Sequence, residues 1–446
     1  MQRLFGTNGV RGITNDSMSS ELALKLGKAI GSYFEGNIII ATDTRTSNEM
    51  LKNAVISGLI STGCNVFDAK IAPSPALQYY VKHSDADAGV IITASHNPPE
   101  FNGIKVVDED GVELSRNKEK EIEKLYFNER FKKAGWNELG KVYDIDILDF
   151  YIEGILSLAD TEKIKESQFK VVLDCGNGAA CYTMPYLVSQ VAEVISLNAQ
   201  PDGNFPGRQP EPTPENIKDL MKTVKATGAD LGIAYDGDAD RAIFVDENGN
   251  FVYGDKSLAI VAGYKVEKKR GKVVTPVSTS SCVEDYVKAK GGEIVYTKVG
   301  APIVARKMLE INAVFGGEEN GGLIFPEHQY CRDGGMASIA MLELMAEKGK
   351  MLSELVKEVP SYYLIKTKVK CENNKEIMER LKNKVEGEKI DYTDGIKVYL
   401  KDGWVLMRPS GTEPIIRIYA EGKDEKAATK IADRYKKLIE KELGRD

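Results

Sequence analysis

Ala88-Gly89-Val90-Ile91-Ile92-Thr93-Ala94-Ser95-His96-Asn97-Pro98 is an apolar run that breaks into small polar residues and a proline. The apolar part, Ala88 to Ile92, reads as a buried strand, and the residues after it stop the strand and force a loop. A serine at a strand end, next to a histidine, is a candidate nucleophile. Taken alone, Ser95 reads first as a polar loop residue of the kind loops collect.

Upstream of this stretch the order is regular. Ile38-Ile39-Ile40-Ala41 reads as a strand, Glu49 to Thr62 as a helix, Asn65-Val66-Phe67 as a strand and Pro75 to His83 as a helix. The order returns with strands at Lys170 to Asp174, Ala192 to Ile195 and Ala229 to Ala234, and helices at Tyr182 to Gln190 and Pro214 to Thr227. It returns again with strands at Lys272 to Thr275, Gly292 to Tyr296 and Asn312 to Phe315, and helices at Ser281 to Ala289 and Ala301 to Leu309. Each unit ends in a short polar loop: TASHNP at 93–98, DGDADR at 236–241 and GEENGG at 317–322. Alternating strands and helices imply an α/β fold with parallel strands, whose ligands bind beyond the C-terminal strand ends. Three equivalent strand ends thus deliver three loops of different chemistry to one cleft.

The last segment breaks the pattern. Strands fit Tyr363 to Val369, Ile396 to Leu400, Trp404 to Arg408 and Ile415 to Glu421, and helices fit Asn374 to Lys384 and Glu425 to Glu442, an α+β arrangement. The boundaries read from these changes are 1–149, 150–252, 253–365 and 366–446. Four domains suit 446 residues, since domains typically hold about 100–200.

Composition is that of an ordinary globular chain, with a net charge of −7 that disfavours nucleic acid or an anionic membrane as main partner. Phosphorylated small molecules remain open, because they need only a local basic pocket. No apolar run is long enough for a transmembrane helix, and Met1 to Gly6 lacks the apolar core of a signal peptide. The six cysteines are scattered without a CxxC, which fits reduced thiols in the cytoplasm. With histidines only at 83, 96 and 328, a hard cation on oxygen ligands is a better expectation than zinc.

Asp236-Gly237-Asp238-Ala239-Asp240-Arg241 carries the strongest chemical signal. Aspartates at alternate positions on a turning backbone can point into one space, where they repel without a cation and suit Mg²⁺ with one. An EF-hand is disfavoured: Glu247 stands twelfth from Asp236, but the sixth place holds Arg241 instead of glycine, and the flanks read as strands. A plain acidic turn is the other reading. Arg408-Pro409-Ser410-Gly411-Thr412-Glu413-Pro414, with Arg417, combines guanidinium groups, hydroxyls and a glycine turn, which describes an anion nest for phosphate; a simple Gly/Pro turn is the alternative. Glu318 and Asn320 in the GEENGG loop offer hydrogen bonds to sugar hydroxyls. Gly176-Asn177-Gly178 lacks the third glycine of a dinucleotide fingerprint and reads as a structural turn. There is no Walker A sequence for ATP and no GxSxG elbow around Ser95. A serine, a cation site and a phosphate cradle together point to phosphoryl transfer through a phosphoserine, its charge met by metal and by Lys105 or Arg241.

These motifs, FGTNGVRG at 5–12, TASHNP, DGDADR with GEENGG, and RPSGTEP, occur in the order found in the α-D-phosphohexomutase superfamily, which the chain resembles over essentially its whole length. The resemblance implies a four-domain architecture around a central cleft, three repeated α/β domains with mixed, largely parallel sheets plus a C-terminal α+β domain. It implies Ser95 as the phosphoserine; Asp236, Asp238 and Asp240, with the Ser95 phosphate, as ligands of one Mg²⁺ per chain; and Glu318 and Asn320 as the sugar-reading pair. It further implies that Arg408, Ser410, Gly411, Thr412 and Arg417 hold the non-reacting phosphate, and that Arg11, Lys105 and Arg241 surround the transferring one. A hexose 1,6-bisphosphate is then the intermediate and activator. Some members carry histidines where this chain has Ala301 and Gly322, so the general acid/base falls first to Lys105 and then to His96. Within the superfamily the pattern is most like archaeal-type phosphoglucosamine mutases, with phosphomannomutase/phosphoglucomutase the alternative and a metal-dependent phosphatase or serine hydrolase the reading from another class. The expected partner is a small sugar phosphate, with neither nucleic acid nor membrane, in the cytoplasm; a homodimer is compatible with the sequence, which does not itself state the oligomeric state.

Overall fold

The computed structural model describes residues 3–6, 8–410 and 414–444. Strands β1 (Val10–Ile13), β2 (Asn37–Thr42), β3 (Asn65–Ile71), β4 (Ala88–Ile92), β5 (Phe101–Asp108) and β6 (Val142–Asp144) form one sheet in the order β1-β5-β4-β2-β3-β6. Strands β7 (Lys170–Asp174), β8 (Glu193–Leu197), β9 (Leu231–Tyr235), β10 (Ala242–Val245) and β11 (Phe251–Val252) form a second, ordered β11-β10-β9-β7-β8. Strands β12 (Lys272–Pro276), β13 (Glu293–Thr297), β14 (Phe315–Gly317), β15 (Leu323–Phe325) and β16 (Gln329–Arg332) form a third, ordered β13-β12-β14-β15-β16.

The repeat read from the pattern is present in all three sheets. In each, the unit's first strand lies between its second and third, all parallel: β3-β2-β4, β8-β7-β9 and β13-β12-β14. The third strand then turns back into an antiparallel partner, β5, β10 or β15. That return makes the sheets mixed, and it places each polar loop inside a strand-to-strand turn. Every residue of β4 and of β9 is buried, which accounts for their continuous apolar runs.

The fourth sheet is wholly antiparallel: β17 (Tyr363–Lys370), β18 (Lys389–Asp391), β19 (Ile396–Leu400), β20 (Gly403–Pro409) and β21 (Ile415–Gly422), ordered β17-β21-β20-β19-β18. Helices Asn374–Lys382 and Glu425–Glu442 complete the α+β domain. Two helical expectations shorten. The stretch from Pro214 starts its helix only at Lys218, because the Asn216 and Ile217 amides both close onto Thr213 O as a turn. The Tyr182–Gln190 stretch divides into a 3₁₀ turn, Ala179–Tyr182, and a helix, Met184–Ser189, with Pro185 in its first turn; that ring has no N–H to continue a preceding helix.

One hydrophobic core runs continuously from Ile39 to Val359 and joins the first three domains. At its centre lies helix Gly334–Lys348, buried along residues 334–345, whose N-cap Asp333 accepts from the Met336 amide and the Tyr151 hydroxyl. The fourth domain has its own core and meets the third across Val277, Trp404 and Leu406. Burying Lys397 at this seam satisfies its ammonium: it donates to Val277 O at 2.7 Å and lies 3.9 Å from the Trp404 ring centroid. All six cysteines are buried, and among the described residues no helix is long and apolar enough to cross a membrane.

Candidate active site

The serine loop is built by residues just beyond β2. Asp43 and Arg45 form an ion pair at 3.0 Å with both side chains fully buried. The Arg45 guanidinium then donates to four carbonyls of the 95–101 turn: Ser95 at 2.9, Asn97 at 2.6, Pro98 at 2.6 and Phe101 at 2.8 Å. Asp43 accepts from Thr93 Oγ1 at 2.5 Å, and Thr93 Oγ1 accepts from the Ser95 amide at 2.8 Å. This scaffold holds Ser95 in the left-handed region, φ 54°, where a residue with a Cβ costs about 1–2 kcal/mol. Strain held by surrounding contacts is the signature of an over-determined site.

Ser95 is buried, and its hydroxyl donates to Asp236 Oδ2 at 2.8 Å, across from the first sheet to the second. Asp236, Asp238 and Asp240 are buried and place carboxylate oxygens within 4.8 Å of one another. Asp238 Oδ1 and Asp240 Oδ1 are buried atoms with no hydrogen-bond partner among the described residues. Buried anionic oxygens without a hydrogen-bond partner, in a carboxylate cluster this tight, fit a hard divalent cation. The charges leave their mark on acidity. Burial, with the charges of Asp240 and Asp238, pushes the Asp236 carboxyl up to about 8. Burial acts on Asp238 in the same direction but is outweighed by the Lys105 ammonium, which holds that carboxyl well below the usual range.

Lys105, on β5, is fully buried and donates to Asp238 Oδ2 at 2.6 Å and to Asp240 Oδ2 at 3.4 Å. Burial works against its charge, but the two aspartates win and raise its pKa, so at neutral pH it is a cation. Arg241 lies 3.7 Å from both Asp236 and Asp240, and its amide donates to Asp236 Oδ1 at 3.2 Å. Arg11, on β1, donates to Asn97 Oδ1 at 2.9 Å and Ala94 O at 3.3 Å. The buried Nε atoms of Arg11 and Arg241 have no hydrogen-bond partner among the described residues, which suits two donors aimed at an anion. His96 Nδ1 is 3.4 Å from Ser95 Oγ. Burial, then the charges of Arg241, Arg11 and Arg332, push that ring down to about 2, so it is neutral.

In the third loop Glu318 is buried, and its Oε1 accepts from the Gly300 amide at 3.2 Å. Asn320 Oδ1 accepts from the Gly322 amide at 3.2 Å. Glu319, not singled out from the sequence, lies 3.6 Å from Lys366 of the fourth domain. Arg408 and Arg417 sit opposite each other on β20 and β21, with Arg408 paired to Asp394 at 2.6 Å. Asp394 also accepts from the Val299 amide at 3.0 Å, tying the cradle to the third domain. The buried Ser410 amide donates to Ile415 O at 3.0 Å, and Asn374 holds both carbonyls, of Ser410 and Ile415. Gly411 and Thr412 lie outside the described residues.

The structure therefore brings Ser95, His96, Arg11, Lys105, Arg241 and the aspartates together, and places Glu318 beside them through Arg332. The turn 176–178 is structural as read: a Cβ at Gly178 would stand 2.5 Å from Gly237 O, which accepts from the Ala179 amide at 2.9 Å. Sequence reading missed Asp43, Arg45 and Arg332, and also Ser74, whose hydroxyl donates to Asp238 Oδ2 at 2.6 Å. Asp43 and Arg45 follow β2 as Ser95 follows β4, so the strand-end rule that found the serine was a signal for them also.

Sequence profiles described as phosphoglucomutase/phosphomannomutase, alpha/beta/alpha domains I, II and III match residues 2–133, 149–249 and 253–363. The profile of the C-terminal domain of the same description matches 366–438. A "Phosphoglucomutase/phosphomannomutase" of Thermococcus kodakarensis is 49% identical, covering 99% of this chain and 100% of the other. A "Phosphoglucosamine/phosphogalactosamine mutase" of Sulfurisphaera tokodaii is 45% identical, with 99% and 100% covered. Among solved structures, a phosphoglucomutase/phosphomannomutase family protein from Burkholderia thailandensis superposes with a TM-score of 0.89 at 27% identity, covering 99% of this chain and 97% of that one.

Proposed function

The chain belongs to the phosphoglucomutase/phosphomannomutase family, and from that premise we propose that it interconverts glucosamine 6-phosphate and glucosamine 1-phosphate in the cytoplasm. The observation that carries the reading is the Ser95 hydroxyl, held strained and 2.8 Å from Asp236 inside a triad of buried aspartates. In this reading Ser95, phosphorylated, gives its phosphate to the free hydroxyl of the hexose phosphate. The resulting hexose 1,6-bisphosphate turns over in the cleft and returns its other phosphate to Ser95.

Asp236, Asp238 and Asp240 are the residues that would hold Mg²⁺, which neutralises phosphate charge and polarises the transferring group when bound. Arg11, Lys105 and Arg241 supply positive charge around the transferring phosphate. Lys105 keeps its proton among carboxylates, which favours the role of a charge over that of a base; His96, neutral and beside Ser95, is placed to accept a hydrogen bond from an incoming hydroxyl. Glu318 and Asn320 read the sugar, and Arg408, Ser410, Gly411, Thr412 and Arg417 hold the phosphate that does not react. One anion nest must accept either phosphate of the bisphosphate, and a cradle of arginines and small donors is indifferent to which.

Glucosamine is favoured by the relatives' names, among them a 44% identical "Probable phosphoglucosamine mutase". Glucose and mannose form the second reading, carried by the name of the 49% identical relative. Phosphorus NMR with glucosamine, mannose and glucose 6-phosphates, Mg²⁺ and a trace of bisphosphate decides. Fastest conversion of the aminosugar supports the proposal. Faster conversion of mannose or glucose phosphate keeps the mutase and corrects the substrate. Release of free phosphate alone makes the chain a phosphatase.

A further inference from the structure

Arg332 belongs to none of the motifs read from the sequence, yet it joins two of them. It ends β16, just before the helix cap Asp333. One guanidinium nitrogen donates to Asp240 Oδ2, and the other donates to Glu318 Oε2 at 3.1 Å. All three side chains are buried. The second oxygens differ in circumstance: Glu318 Oε1 takes the Gly300 amide, whereas Asp240 Oδ1 has no hydrogen-bond partner among the described residues. The fork thus fixes one oxygen of each carboxylate and leaves Asp240 Oδ1, 3.7 Å from Arg241 Nε, outside its hold.

The stem of Arg332 is fixed as well. A Cβ at Gly322 would stand 2.2 Å from Arg332 Cδ and 2.9 Å from Cγ. Neither atom is a free end, because the guanidinium beyond them is anchored on both sides. Gly322 also closes the loop, its carbonyl accepting from the Glu318 amide at 2.9 Å. Residue 322 is glycine so that the arginine stem can cross the loop and reach both carboxylates.

We propose that Arg332 is a positioning residue that locks Glu318 and Asp240 into one unit, so that hexose-phosphate binding and divalent-cation binding are coupled. The ligands assigned to the two loops rest on the function proposed above. A planar fork can bind two carboxylates at once, and a lysine ammonium on a flexible stem cannot reproduce that geometry. An ion pair serving stability alone would leave the two affinities independent.

The test is Mn²⁺ titration of the full-length protein, with and without a saturating hexose 6-phosphate, beside steady-state kinetics. In the wild type the sugar phosphate tightens Mn²⁺ binding by about fivefold or more. Arg332→Met lowers that factor to below about twofold and raises KM for the sugar phosphate about tenfold, with a smaller fall in kcat. Arg332→Lys restores neither value, although it restores the charge. Gly322→Ala displaces the stem while keeping the arginine and loses coupling in the same way, so it carries the test if Arg332→Met fails to fold. In the Arg332→Met background Gly322→Ala has no further effect. A coupling factor unchanged from wild type in the folded variants overturns the inference. If the wild type converts no hexose phosphate, the proposed function fails instead; Mn²⁺ affinity without sugar still decides whether Arg332 orients Asp240, by an about tenfold loss in Arg332→Met or none.

Discussion

Gly237→Ala adds one methyl group at the point where the serine loop and the aspartate loop touch. The new Cβ would lie 2.5 Å from Ser95 O, about 0.9 Å inside the 3.4 Å at which ordinary van der Waals contact begins. Neither side can yield locally. Ser95 O is held by Arg45 at 2.9 Å, and behind Gly237 its own carbonyl is held by the Ala179 amide and pressed against Gly178. The backbone at 237 is outside the left-handed region, so alanine brings no dihedral strain and the whole effect is steric. Relief must come from separating the two loops by most of an ångström, which lengthens the Ser95–Asp236 contact. Misplacement of that size typically lowers a rate about 10²-fold, or about 3 kcal/mol of barrier. The assay is kcat/KM for hexose phosphate at saturating Mg²⁺, with the thermal midpoint measured alongside. Retention of activity within about threefold of wild type would show that the two loops tolerate the added methyl group, and a loss explained wholly by unfolding would equally contradict a local effect on the Ser95–Asp236 contact.

Ser95→Ala abolishes mutase turnover and removes the phosphate adduct from the intact mass while leaving circular dichroism unchanged; a fully active variant would sink the mechanism. Arg45→Met strands the buried Asp43 carboxylate, at about 3–5 kcal/mol, so amide exchange in residues 93–103 accelerates by orders of magnitude; unchanged protection there would show that the scaffold is dispensable. Dephosphorylating Ser95 weakens Mn²⁺ binding about tenfold, and equal affinities in the two forms would show that the phosphate charge does not help hold the cation. Burial pushes the Lys397 ammonium down to about 8, against the opposing pull of Glu421, Glu284, Asp391 and Asp255. Between that value and 10.5 the unfolded chain binds more protons than the native one, so this group's contribution rises with pH across the window, by up to about 3 kcal/mol. Lys397→Met therefore loses ground to wild type between pH 8 and pH 10 in thermal melts; a constant gap would contradict the assignment.

The repeat was legible because the first and third strands of each unit are buried almost throughout and so leave apolar runs, as at Val90-Ile91-Ile92 and Leu231 to Ala234. The return strands were less legible. β5 carries Asn102 and Lys105 among its apolar residues, and both are buried for polar reasons: Asn102 bonds Ser47 and Asn48, and Lys105 bonds the aspartates. β15 and β16 are only three and four residues long, too short for a period to show. The DGDADR triad was legible as a local spacing, whereas Arg332 acts across 92 positions of sequence on Asp240 and nothing near it announces that reach. Glycines misled in one place. Gly322 reads as one more turn residue, and only the crossing arginine stem explains it.

The charge count at the site connects these parts. Arg11, Lys105, Arg241 and Arg332 face Asp236, Asp238, Asp240, Glu318 and Glu113, four cations against five carboxyls. Counted as ionised, the acids leave a surplus of a single negative charge; burial, with Asp240 and Asp238, pushes the Asp236 carboxyl up, and burial pushes Glu113 up against the opposing pull of Lys105 and Arg332. A dication added alone converts a surplus of one negative charge into one positive charge in a buried space. A phosphate dianion added alone trebles the negative surplus in a buried space. Added together they cancel, because phosphoserine carries about −1.5 to −2 at neutral pH. The site is thus balanced for the cation and the phosphate as a pair, and this is the physical reason that removing phosphate from Ser95 weakens the hold on the metal. The same balance is compatible with so many fixed cations beside a metal site: in the proposed function they face the phosphate oxygens, while Asp238 Oδ1 and Asp240 Oδ1, which have no hydrogen-bond partner among the described residues, are open to the ion.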